Sequence, residues 1–323
     1  MKQMSYAAAL VDGLYEALAS DEKVSIVSGH PVGFGPHRAL MDRVYDDFHD
    51  RIFDPPNSEA AIAGMGAGAA MLGERPFINL STSIFSYVGW SQIVNDAPNV
   101  HHMSDGMLTA PVVYYGLHGV RGNGAAQHSG SPQAMLWNAP GLQIALPSSP
   151  SDVKGLLLWA LRSRNPTFFL THAKLLSIEG PVAEGLYETP FGVAEIKRAG
   201  RDVTIIATSL MVVVALQAAE TLAKEGVEAE VVDPRTLTPF DEKTLLASVE
   251  RTGRLVVVDE CPLRCGVAAE ITATIAEKGF KFLKSPPVRI TRPDVPIPFS
   301  TPIEDELVPN AAKVVAAVRE LLR

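Results

Sequence analysis

Apolar residues along the first half of the chain alternate between helical and strand-like spacing. Ala7, Leu10, Val11, Leu14, Tyr15 and Leu18 share one helical face, and Ser5 stands where it can cap that helix. A short apolar run over 24–27 reads as a buried strand, and a loop over 29–35 contains His30 and Pro31. Asn57 and Ser58 are good helix N-cap residues. They precede Glu59 and a helix over 59–72 that carries no further charge and hardly any bulk. The pattern then predicts a strand over 77–80, a helix over 85–102 that Pro98 breaks near its end, and a strand over 111–115. A loop over 116–130 is rich in small residues and contains His118 and His128. A strand over 142–146, a helix from a Ser151-Asp152 cap through 161, and a strand over 167–170 complete this half.

Short apolar strands separated by helices are the pattern of a parallel sheet covered on both faces. Residues 177–189 have Gly, Pro and Glu without a period and read as a linker. Beyond it the alternation resumes, with strands over 203–207, 227–232, 255–258 and 288–290 and helices over 210–224, 241–250, 266–278 and 311–322. No sequence repeat links the halves. The expected fold class is therefore α/β, with two open, mostly parallel-sheet domains over 1–186 and 187–323.

Composition narrows the class. A chain of 323 residues, 47% hydrophobic and 20% charged, is long enough for two domains that each bury a core. A net charge of −8 argues against nucleic acid and against anionic membranes. Cys261 and Cys265, spaced C-x-x-x-C, make neither a zinc site nor a redox C-x-x-C, and packing is their expected role. The start of the chain lacks the pattern of a signal peptide, and the longest apolar stretch, 203–219, is interrupted by Thr, Ser and Gln. A reducing cytoplasm fits these features.

Ligands of open α/β sheets sit at the carboxyl ends of the strands. Glu59, the segment from Thr82 to Phe85, and the His128 loop all map to such ends. Taken alone, Glu59 reads first as a charge complementing its helix dipole. His128 alone reads as readily structural as catalytic, and the other histidines read as structural. Gly64, Gly66 and Gly68 each lower helicity by about 1 kcal/mol relative to alanine, so their helix is expected to lie against a close neighbour. They fall inside a helix, so they are no dinucleotide fingerprint, and the chain has no Walker loop and no Gly-Asp-Gly followed by Asn. A site edge is present without a phosphate or metal cradle.

At this point a resemblance enters. Asn-Ser-Glu-Ala at 57–60 resembles the I-S-E-x segment of thiamine diphosphate enzymes, most closely the β subunit of the E1 component of 2-oxo acid dehydrogenases. Ser-Gln-Ile-Val-Asn at 91–95, Ala-Gln-His-Ser at 126–129, Pro-Gly-Leu at 140–142, Arg-Thr-Leu-Thr-Pro at 235–239 and Asp-Val-Pro-Ile-Pro at 294–298 match that family's motifs in order. The resemblance implies a pyrimidine-binding domain, a transketolase C-terminal-type domain, and an α₂β₂ assembly whose α subunit holds the diphosphate and Mg²⁺. It implies that Glu59 acts beside the aminopyrimidine, that Phe85 packs on it, that Asn57 and Ser81 line its site, and that His128 serves acyl transfer to a lipoyl acyltransferase (E2). It also implies a potassium ion on the carbonyls of Val112, Ala160, Leu161, Ser163 and Asn165. The chain departs from the family at several positions, with His30 and Asn79 for glutamates, Tyr115 for a frequent arginine, Ser163 for a frequent aspartate, Asn57 for an apolar residue and Gly130 for the last residue of H-S-Q. Three readings follow: an E1 β subunit, a split transketolase-like or acyloin-forming enzyme, and a non-catalytic α/β subunit. Retention of Glu59, Phe85 and His128 together argues against the third.

Overall fold

The computed structural model describes residues 1–33 and 35–323. The predicted loop over 29–35 includes Phe34, which lies outside the described residues. In chain order the elements are β1 (Lys2–Ser5), α1 (Tyr6–Ser20), β2 (Val24–Val27), α2 (Asp42–Phe48), β3 (Ile52–Phe53), α3 (Glu59–Met71), β4 (Arg75–Thr82), α4 (Ala97–Met103), β5 (Val113–His118), α5 (Ala125–His128), α6 (Gln133–Trp137), β6 (Gln143–Ala145), α7 (Pro150–Arg162), β7 (Thr167–His172) and β8 (Glu179–Val182). There follow β9 (Glu195–Arg198), β10 (Val203–Ala207), α8 (Leu210–Ala223), β11 (Ala229–Asp233), β12 (Thr236–Thr238), α9 (Glu242–Thr252), β13 (Leu255–Pro262), α10 (Val267–Gly279), β14 (Val288–Arg292), α11 (Thr301–Leu307) and α12 (Ala311–Leu321). The chain forms two units, residues 1–118 with 135–191, and residues 119–134 with 192–323. The division therefore falls at 191/192 rather than 186/187, and the loop carrying His128 belongs with the second unit.

In the first unit the strands run side by side as β6, β7, β5, β4, β2 and β3, every pair parallel. Helices cover both faces, so the strands read as continuous apolar runs; Val113, Tyr114, Tyr115, Phe168 and Phe169 are all fully buried. Ser5 does cap α1, its Oγ accepting from Ala8 N at 3.2 Å. The cap of α7 is Ser149 rather than Ser151. Its Oγ accepts from Asp152 N at 3.2 Å, and Pro150 takes the first helical position, where its missing N–H costs nothing. A fully buried Lys154 on α7 donates to Asp12 on α1 at 2.6 Å. Pro98 does not end the helix before it. A π turn over Gln92–Asp96 precedes it, and the altered pairing absorbs the proline at the start of α4. Part of the expected linker is β8, which pairs antiparallel with β1.

The helix of small residues, α3, lies directly on β4. A Cβ at Gly66 would stand 2.5 Å from Ile78 Cγ1 and 3.3 Å from Val112 Cγ2, and one at Gly64 would stand 3.3 Å from Gln92 Cγ. The expected close neighbour is therefore the sheet at Gly66, whereas Gly68 faces open space.

The second unit orders its strands β14, β13, β10 and β11, all parallel, with β9 antiparallel beside β11. Asp241 caps α9 through Thr244 N, and Gly253, at φ 76°, closes it. Helices α8 and α12 pack Val212, Ala215, Ala219, Val314 and Val318 into one core with β10, β11 and β13. Among the described residues no helix is long and apolar enough to cross a membrane.

The glycines of α3 give opposite expectations. Gly66→Ala forces its new methyl into the buried Ile78 and loses about 1 kcal/mol net, overpacking exceeding the helix-propensity gain. Gly68→Ala meets nothing and gains about 0.5–1 kcal/mol. Urea unfolding of the two variants measures both signs; equal effects would remove close packing as the reason for Gly66.

Candidate active site

At its carboxyl end β4 is irregular. The register with β5 shifts between Asn79 and Thr82, and Ser81 takes a left-handed φ of 62°. Asn79 secures the bulge, its Oδ1 accepting from Ser81 N at 2.8 Å and its Nδ2 donating to Ser28 O at 2.9 Å. The chain then makes one 3₁₀ turn, Ser83–Tyr87, that carries Phe85 half-buried. Gly116 on β5 lets this turn lie against the sheet, since a Cβ there would stand 2.6 Å from Ser83 Cα. Ser81 is exposed at the same edge.

Glu59 is the first residue of α3. Ser58 occupies the N-cap position but makes no side-chain cap bond, and both Asn57 and Ser58 are exposed. Glu59 is half-buried rather than enclosed, because α3 packs on the sheet through its later turns and leaves its first turn at the rim. Among the described residues no hydrogen bond or ion pair engages the Glu59 carboxylate. Gly89, just beyond the Phe85 turn, abuts it; a Cβ there would lie 3.0 Å from the Glu59 carbonyl oxygen. The first unit thus brings Glu59, Asn57, Ser81 and Phe85 to the carboxyl edge of its sheet.

His128 belongs to the second unit, exposed at the end of the single turn α5. Its loop is held by polar contacts that the sequence reading missed. Gly119 N donates to Gly130 O at 3.2 Å and closes the base. Glu260, near the end of β13, accepts from Val120 N at 2.5 Å. Glu304, a fully buried carboxylate on α11, accepts from Asn123 N at 3.0 Å, and Thr301 Oγ1 donates to Asn123 Oδ1 at 2.8 Å. Cys261 Sγ donates to Ser131 O at 3.4 Å. Burial pushes this thiol well up, which agrees with a packing role. Burial likewise raises the neighbouring Asp259, whose carboxylate accepts from Thr208 Oγ1. Gly122, Asn123 and Ala125 all have positive φ, at 88°, 56° and 51°. Such conformations cost of order 1–3 kcal/mol at non-glycine residues and persist only where surroundings impose them. The one signal available beforehand was Asp259-Glu260, two acids ending an otherwise apolar strand.

The carbonyls assigned to potassium lie in the first unit, and four of the five already accept a hydrogen bond. Val112 O accepts from Thr167 N at 2.9 Å and Ala160 O from Ser163 N at 3.2 Å. The oxygens of Leu161 and Ser163 both accept from the Arg75 guanidinium, at 2.8 and 2.9 Å.

Glu304→Ala removes the acceptor of Asn123 N. A hydrogen bond to a charged group contributes about 1.5–3 kcal/mol, so amide exchange over 119–130 is expected to rise about tenfold or more while the first unit is unchanged. Exchange equal to wild type would show that the loop does not depend on Glu304.

Residues 2–178 match the family model of the transketolase pyrimidine binding domain, and residues 192–314 match that of the transketolase C-terminal domain. The β subunit of acetoin:2,6-dichlorophenolindophenol oxidoreductase from Cupriavidus necator is 43% identical over 91% of this chain and 87% of its own length. The Bacillus subtilis protein of that name is 36% identical over 99% of this chain and 97% of its own length. The pyruvate dehydrogenase E1 component subunit β of Rickettsia felis is 34% identical over 99% of this chain and 98% of its own length. A solved structure titled as a split gene transketolase, inactive β4 tetramer, shares the fold with a TM-score of 0.79 at 22% identity, covering 99% of this chain and 98% of that one. Both domain models and full-length relatives agree: this chain belongs to the transketolase-like family that includes the β subunits of pyruvate and acetoin dehydrogenase E1 components.

Proposed function

We propose that this chain is the β half of a cytoplasmic, thiamine diphosphate-dependent E1 enzyme that cleaves a 2-oxo acid and passes the acyl group to the lipoyl domain of an acyltransferase. Its partner is an α subunit in an α₂β₂ assembly, which holds the diphosphate and Mg²⁺. The observation that carries this reading is the unengaged carboxylate of Glu59 at the same sheet edge as the half-exposed ring of Phe85. An acid without a partner among the described residues and an apolar face suit an aminopyrimidine. Relatives named for acetoin, at 43% and 36% identity, favour a second substrate, an acyloin of the acetoin type, on the same residues.

The chemistry supplied by the bound cofactor is an electron sink beside the carbonyl carbon whose neighbouring bond breaks. Glu59 gives and takes one proton at a carboxyl oxygen, toward a ring nitrogen of the aminopyrimidine. Phe85 offers its ring face, and the exposed Asn57 and Ser81 flank the approach. His128, on its tethered loop, gives and takes a proton at an imidazole nitrogen while the acyl group is handed on, a role available to imidazole near neutral pH.

With the α partner present, Glu59→Gln is expected to lose about 10²- to 10⁴-fold in turnover while remaining folded, because the amide cannot cycle a proton. Activity within about twofold of wild type would reduce Glu59 to a dipole-compensating charge. His128→Ala is expected to abolish acylation of a lipoyl domain yet spare most of the C2–H/D exchange of thiamine diphosphate. Equal loss in both assays would make His128 a support of the loop or cofactor. A wild-type enzyme that forms acyloins but acylates no lipoyl domain would replace the lipoyl acceptor by a free aldehyde.

A further inference from the structure

The last turn of α7 ends beside the first residue of β4, and Arg75 joins them. Its backbone N donates to Lys23 O at 2.9 Å, as part of the sheet. Its Nη1 donates to Leu161 O and Ser163 O at 2.8 and 2.9 Å, and its Nε lies 3.5 Å from Asp21 Oδ2. Only 24% of its side chain is exposed.

The terminal carbonyls of a helix have no partner within the helix and form the negative end of its dipole. A cation is favoured there, and a guanidinium adds a rigid fork of donors. Two further oxygens of this corner already accept, Ala160 O from Ser163 N and Val112 O from Thr167 N. Ser163 brings no negative charge: its Oγ donates to Gln143 Oε1 at 2.9 Å and accepts from Asn165 N at 3.1 Å. The acid nearest the guanidinium is Asp21, already its partner. A potassium ion on the same oxygens would stand beside a fixed positive charge, and the other acid at this corner, Glu188, is already paired with Arg162.

We propose that Arg75 is the built-in cation of this corner, so that the chain binds no monovalent metal ion at the carbonyls of Leu161 and Ser163. The assignment is independent of the acyl acceptor, and its readout is the melting of the full chain, so a failed lipoyl assay leaves it standing.

The test compares melting temperatures in potassium, sodium and choline chloride at equal ionic strength. Wild type is expected to melt alike in all three, within about 1 °C, a shift below that of a single lost hydrogen bond. Saturable stabilisation by potassium over choline would overturn the proposal. Arg75→Ala is expected to melt about 5 °C lower in choline, and potassium or methylguanidinium to recover part of the loss. A variant as stable as wild type, or a loss that neither cation touches, would leave Arg75 without this role. Should Arg75→Ala not fold, Arg75→Lys, which keeps the charge and lacks the fork, replaces it, with a smaller loss expected. Wild-type stability in that variant, or its stabilisation by potassium over choline, would count against the assignment, since the retained charge still excludes the ion.

Discussion

The close approach of α3 to β4 is the constraint on which the first unit's site depends. Gly66 stands over Ile78 where any side chain would collide, and Gly116 does the same for the turn that carries Phe85 against β5. Neither glycine touches a ligand. Together they determine how far α3 and the 3₁₀ turn stand from the sheet, and so where Glu59 and Phe85 emerge at its carboxyl edge. A helix without charge after its first residue is held mainly by shape, with the Tyr114 hydroxyl donating to Ala63 O at 3.2 Å. That explains why the propensity cost of glycine, about 1 kcal/mol, is tolerated at Gly66.

The His128 loop follows the opposite logic. Its tip is held by polar tethers: two carboxylates, a hydroxyl and a thiol. Asn123 and Ala125 carry strain of roughly 1–3 kcal/mol each. Carboxylate-to-amide hydrogen bonds of about 1.5–3 kcal/mol are of the right size to offset it. A packed helix holds one group and a tethered, strained loop the other, and the two lie in different units of the chain.

The parallel strands were legible because both their faces are buried, which leaves long apolar runs such as 203–207 and 255–258. Strands β8 and β9 were not. They pair at an edge, their residues are mixed, and nothing in Glu179–Val182 distinguishes a strand from a linker until β1 is beside it. The cap is Ser149 and not the expected Ser151 because Pro150 takes the first helical position, which moves the start of the helix forward. Glu59 and His128 were visible through residue types on recognisable segments. Glu260, Glu304 and Arg75 were not, since each acts on a backbone group far away in the chain, and backbone acceptors and donors leave no mark in a sequence.

The departures from the family pattern sort by burial. Asn79 is 4% exposed and spends both ends of its amide on backbone groups. Tyr115 is fully buried, donates to Pro31 O at 2.9 Å and shares a hydrogen bond with Thr171; burial pushes its phenol up, so it stays neutral. Asn79 and Tyr115 therefore alter the support beneath the sheet edge and not its surface. Asn57 differs from them: it is exposed and lies two residues from Glu59 in the chain. A polar amide there stands at the surface next to the acid and not in the support beneath it.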